Sequence, residues 1–73
     1  MAIIEVKSDI AGTVWKVLKA TGDAIAEDEP IVILESMKME IPITSPEAGV
    51  LREILVKEGE TVGEGAVVVR VDV

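Results

Sequence analysis

Apolar and polar positions in this chain alternate over short stretches and never keep helical spacing. Ile31-Val32-Ile33-Leu34 is a branched apolar run of the kind found in buried strands, and Glu40-Ile41-Pro42-Ile43 alternates polar with apolar as a half-buried strand does. The chain must reverse between them, over residues 36 to 39, which predicts a hairpin with Lys38 at or near its tip and its amine in water. No window of ten or more positions combines three- and four-residue apolar spacing with freedom from Gly, Pro or β-branched clusters, so no helix is predicted.

The strand pattern occurs twice. Residues 8–35 align without a gap on residues 45–72 at an offset of 37, and seven of the 28 pairs are identical: Ser8/Ser45, Ala11/Ala48, Gly12/Gly49, Leu18/Leu55, Gly22/Gly59, Glu27/Glu64 and Val32/Val69. Chance would supply roughly two or three. Each half reads as glycine, strand, Gly-acid turn, short strand, second turn and apolar strand. Neither half can bury its own sheet face, so the simplest arrangement packs one half on the other as two short antiparallel sheets about a pseudo-two-fold axis. The repeat partner of Lys38 falls at residue 1 in one direction and past residue 73 in the other, at the chain ends, which is expected to set the lysine tip at one end and the termini at the other.

Local irregularities refine the picture. Alternation breaks between Val14 and Val17 and again between Leu51 and Ile54, where a β-bulge in each half restores it. Gly12, Gly22, Gly49, Gly59 and Gly65 are expected to serve turns or close backbone approaches, and Asp28, at the repeat position of Gly65, tolerates the same left-handed turn. Pro30 can begin its strand, whereas Pro42 marks its strand as an edge. Lys19 stands where the repeat has Val56, so either its stem snorkels or the strand pairs differently there.

Composition narrows the chemistry. Seventy-three residues are expected to form one domain, residues 1–73, near the lower limit for folding without disulfides or metal. Valine and isoleucine fill 21 positions while Trp15 is the only aromatic residue, which predicts an all-β fold with an aliphatic core. There is no cysteine and no histidine, so thiol nucleophiles, His-based triads and the usual zinc sites are excluded. The net charge of −7 disfavours nucleic acid and anionic lipid as partners. Neither the opening residues, Met1-Ala2-Ile3-Ile4-Glu5, nor any later run resembles a signal peptide or a membrane span, so a cytoplasmic monomer is expected. The carboxylates are spread over turns and exposed strand positions with no convergent acid/base pair. Glu27-Asp28-Glu29 lacks the ligand spacing of a Mg²⁺ or Ca²⁺ site.

The tip remains to be explained. It lacks the Gly, Asn or Asp that two-residue hairpin turns favour, and two methionines in a Val/Ile-rich chain offer flexible, polarisable surface suited to docking. Glu35-Ser36-Met37-Lys38-Met39, placed after Gly22-Asp23 and before Gly49 and Gly59-Glu60, resembles the biotinyl type of the biotin/lipoyl attachment family, with a match running from about Ile3 to Asp72. The resemblance implies a flattened β-barrel (barrel-sandwich hybrid) of two four-stranded antiparallel sheets with pseudo-two-fold symmetry. It further implies biotin in amide linkage on Lys38. Glu35, Ser36, Met37, Met39 and Glu40 would be the residues read by a biotin protein ligase and by the biotin-dependent carboxylase and carboxyltransferase components between which the arm moves a carboxyl group. The chain offers no His or Cys to act as a base on the amine, so activation must come from the ligase, and the protein is expected to be a carrier and no enzyme. The gap-free repeat leaves no room for the inserted thumb of some family members, and no Pro/Ala-rich linker precedes the domain; the chain resembles the minimal attachment proteins.

Two other functions fit part of the pattern. A lipoyl carrier of the same fold would load lipoate on Lys38, although such domains usually show Asp-Lys-Ala at the tip. An unmodified biotinyl-like adaptor module would need no lysine there.

Overall fold

The computed structural model describes residues 2–73; Met1, the repeat counterpart of Lys38, lies outside the described residues. Eight strands run in chain order: β1 (Ile3–Lys7), β2 (Gly12–Val17), β3 (Ala24–Ile25), β4 (Pro30–Ser36), β5 (Met39–Thr44), β6 (Gly49–Ile54), β7 (Thr61–Val62) and β8 (Val67–Asp72). They form two antiparallel four-stranded sheets, ordered β1-β8-β6-β3 and β5-β4-β2-β7. Strand ladders run within each sheet, so the barrel implied by the family is here an open, flattened sandwich.

The repeat maps one sheet onto the other strand by strand. It does not put one half in each sheet, because β1 and β3 of the first half join β6 and β8 of the second, and the reverse holds in the other sheet. Each half therefore completes the other's hydrogen bonding. The bulges expected in β2 and β6 fall between Val14 and Lys16 and between Leu51 and Glu53. A second repeat-related pair interrupts the ladders at Val6/Lys7 and at Pro30/Val32. Pro42 lies on β5, an edge strand, where its missing N–H leaves no ladder bond unmade.

Between the sheets lies an aliphatic core in which Val14, Ile31, Val32, Leu34, Leu51, Val68, Val69 and Val71 are essentially inaccessible. Ser8 and Ser45 are the buried polar residues, and their identity in the two halves has a physical cause. The Ser45 hydroxyl donates to the Glu47 carbonyl at 2.6 Å, and the Ser8 hydroxyl donates to the carbonyl of Ile10 in the same way, so each satisfies its own loop. The acid of each Gly-acid turn closes the turn from within: Asp23 accepts from the Ala20 N–H at 2.8 Å and Glu60 from the Lys57 N–H at 3.0 Å. Asp28, with φ of 63°, adopts the left-handed conformation of its counterpart Gly65. Lys19 snorkels: its stem is half-buried where Val56 enters the core, and its ammonium meets Glu29 at 2.8 Å. No helix among the described residues is long and apolar enough to cross a membrane.

At one end, Ala2 and Val73 exchange a pair of backbone hydrogen bonds of 3.1 and 2.8 Å. The repeat relates this pair to Ser36 and Met39, the last facing residues of the β4–β5 hairpin. From Ala2 the chain runs along β1 and a short link to Gly12, which lies beside Glu35 and Ser36. The hairpin tip thus stands at the end of the sandwich away from the termini.

Candidate functional site

The six tip residues are assembled in three rows. Glu35 on β4 faces Glu40 on β5; above them Ser36 faces Met39; Met37 and Lys38 make the two-residue turn that closes the hairpin. Both turn residues have positive φ, 52° for Met37 and 64° for Lys38, as the primed hairpin turns require. L-residues with side chains resist this conformation, so the turn is held in place by the ladder below it. Leu34 anchors that ladder in the core, one residue before the exposed rows begin.

Gly12 supports the tip from the side. A Cβ at this position would lie 2.9 Å from the Glu35 carbonyl oxygen and 3.5 Å from the Ser36 Cβ, so only glycine lets the start of β2 pack against the end of β4. The repeat partner Gly49 makes the same approach to the backbone of Asp72. The repeat identity pointed to both glycines, but the contact of Gly12 with the tip is visible only in three dimensions.

The surface at the tip is unusual for a small domain. Met37 is 92% exposed and Met39 62%, although thioethers normally find cover. Lys38 is exposed, and the ion pairs among the described residues lie elsewhere, linking Lys19 to Glu29, Arg52 to Asp72, and Arg70 to Glu5 and Glu53. Glu35 and Glu40 face each other as like charges, an arrangement that costs stability, and no ion pair among the described residues involves either of them. A primary amine on a turn, neither packed nor paired, fits an amide-linked prosthetic group: acylation removes no internal contact. The described residues contain no group of three or more metal-ligating side chains, and no cavity opens among them. Glu29, the last residue of the acidic triplet considered above, is engaged by Lys19 and by the Ala26 N–H.

A rigid two-sheet body that displays an exposed lysine on a strained hairpin is the architecture a carrier module requires. The family profile described as "Biotin-requiring enzyme" matches residues 3–71, and the chain belongs to this family of biotin/lipoyl attachment domains, whose members are carriers and not catalysts.

The biotin/lipoyl attachment protein of Bacillus subtilis (strain 168) is 47% identical over 62 residues, which cover 85% of each chain. The biotin carboxyl carrier protein of Streptococcus mutans is 46% identical over 54 residues, 74% of this chain and 42% of that one. The dihydrolipoyllysine-residue acetyltransferase component of the pyruvate dehydrogenase complex of Corynebacterium glutamicum is 43% identical over 60 residues, 82% of this chain and 9% of that one. Among solved structures, the urea carboxylase of Kluyveromyces lactis superposes with a TM-score of 0.93 at 28% identity, covering 99% of this chain and 6% of that one. The chain thus spans most of the Bacillus protein and a minor part of the other three.

Proposed function

We propose that the protein is a biotin carboxyl carrier, with biotin held in amide linkage on Lys38. The observation that carries this reading is the Met37-Lys38-Met39 tip itself, with two methionines exposed on either side of an unpaired lysine on a left-handed turn. The Streptococcus relative named as a biotin carboxyl carrier and the urea carboxylase neighbour support it.

A biotin protein ligase supplies the activated acyl group, since the chain has no base of its own at the tip. When attached, biotin contributes a ureido nitrogen able to take up and release a carboxyl group. The chain's residues provide the rest. Lys38 is the flexible stem, the turn holds that stem clear of the sandwich, and Met37, Met39, Ser36, Glu35 and Glu40 are the surface read by the ligase and by the carboxylase and carboxyltransferase components. Tethering on a compact body keeps the group at an effective concentration of about a millimolar at each site that the arm can reach.

A lipoyl carrier is the second reading, favoured by relatives such as the Corynebacterium acetyltransferase component. The test is to incubate the apo protein with a biotin ligase and biotin, and separately with a lipoate ligase and lipoate, each with ATP, and to read intact mass and the modified peptide. Biotin added once, at Lys38, is the expected result; lipoate as the sole adduct, or biotin on another lysine, overturns the reading. Replacing Met37 or Met39 by alanine is expected to slow loading while leaving the melting temperature unchanged.

A further inference from the structure

The internal repeat supplies a built-in comparison, because each outward-facing residue of one sheet has a counterpart in the other. In the β1-β8-β6-β3 sheet the middle of the outer face is closed by charge: Arg70 lies between Glu5 and Glu53 across the ladders, with contacts of 3.4 and 2.6 Å. The counterparts in the sheet that carries the lysine hairpin are Ile33, Pro42 and Lys16. Ile33 stands between two fully buried neighbours yet is only half-buried, so it faces outward. The bulge turns Trp15 and Lys16 to this same outer face, with the ammonium of Lys16 5.7 Å from the ring centroid. Trp15 is 44% exposed, and its counterpart on the other sheet is Arg52. This apolar row of Trp15, Ile33 and Pro42 sits two residues below Glu35 and Glu40, or about 7 Å along the strands. The sheet that bears the tip lysine therefore has two apolar residues and a single lysine where the other has its charged triad, and it carries the chain's only aromatic residue.

Accepting Lys38 as the attachment site, we propose that this outer face is the docking surface for the ligase that acylates it, with Trp15 as the anchor. A ligase meets the chain before any prosthetic group is present, so it must select one lysine of five from the protein surface alone. Lys16 and Lys38 flank this surface at different heights, and an anchor on Trp15 fixes which amine reaches the ligase's active site. Tryptophan is the residue type that most often dominates such contacts. The partner surface is an apolar cleft for Trp15 and Ile33 bordered by basic groups toward the tip, where Glu35 and Glu40 face each other without an internal cation. Trp15, Ile33 and Pro42 act as positioning residues, since none touches the reacting amine.

The experiment measures the kinetics of biotin transfer from a biotin protein ligase to the full chain by intact mass. Trp15→Ala and Ile33→Arg, the latter copying the residue at the repeat-related position, are expected to raise KM for the protein by about tenfold or more with kcat little changed. Trp15→Phe should recover most of the loss, and Arg52→Ala on the opposite sheet should behave as wild type. Melting curves establish that each variant is folded. KM values within twofold of wild type for both Trp15→Ala and Ile33→Arg overturn the proposal, as does an equal effect from Arg52→Ala. Wild-type protein that takes no biotin at Lys38 sinks the attachment reading and this inference with it, whereas normal wild-type loading with insensitive variants removes this inference alone.

Discussion

The carbonyl oxygen of Glu35 lies 2.9 Å from the point where Gly12 would carry a Cβ, so the foot of the lysine hairpin leans directly on a glycine. Gly12→Ala must push backbone against backbone, and no flexible side chain can yield. A loss of about 1–3 kcal/mol in unfolding free energy is expected, read by urea or thermal melts. Gly49→Ala is expected to destabilise similarly, through Asp72. The two variants should differ in function: at a temperature where both are folded, only Gly12→Ala should slow acylation of Lys38, because Gly49 supports the opposite end.

The left-handed turn at Met37 and Lys38 is a second place where local preference has been overruled. Met37→Asn places a residue tolerant of positive φ at the first turn position and should raise stability by up to about 1 kcal/mol. The same variant should be loaded more slowly than wild type. A higher melting temperature together with slower transfer would show that the methionine is kept at the expense of the fold.

Val32 and Val69 are repeat partners and both are fully buried, on β4 and β8. Truncating either to alanine should cost about 2–3 kcal/mol. A chain of this size has a stability on the order of 4–11 kcal/mol. The double variant is expected to be partly unfolded at room temperature, as judged by hydrogen exchange or chemical denaturation.

The Lys19–Glu29 ion pair predicts a pH signature. Its hydrogen bond holds the Glu29 carboxyl below its usual range and the Lys19 ammonium above its usual range, with the Ala26 N–H adding to the first effect. For Glu29 the folded state favours the ionised form, so this contribution is present above the ordinary carboxyl value of 4.5 and fades as pH falls through the lowered folded value. For Lys19 the folded state favours the proton, so the contribution is present below the ordinary lysine value of 10.5 and fades as pH rises through the raised folded value. Glu29→Gln should therefore melt below wild type by a constant margin near neutrality, and the margin should narrow at both extremes. Because the pair remains partly open to solvent, the margin should be small and should shrink in high salt.

Much of the fold is legible in the sequence because its cues are local. Broken alternation at Val14–Val17 and Leu51–Ile54 located two bulges, Pro42 marked an edge strand, and the Gly65/Asp28 correspondence identified a left-handed turn before any coordinates. The register shifts at Val6/Lys7 and Pro30/Val32 left no such trace, since the residues they skip, Val68 and Ile31, have apolar neighbours on both sides and parity gives no signal. The pairing of the halves was also hidden. A repeat shows that two units must share a core but not which strands exchange, and here the short strands β3 and β7 cross to the opposite half. At the tip, the hairpin and the lysine could be read from the sequence. The close approach of Gly12 and the outward face bearing Trp15 could not, because both depend on residues more than fifteen positions away.

The interleaving of the two halves has a consequence for biosynthesis. A chain emerging from the ribosome can pair all four strands of the lysine-bearing sheet once β7 has been made, but the opposite sheet, and with it the packed core between them, waits for β8, which sits between β1 and β6. The outer-face anchor and the hairpin lie on the sheet that pairs first, and they gain a packed core beneath them only when β8 is added. A partner that reads both together would pass over copies whose core has not yet formed.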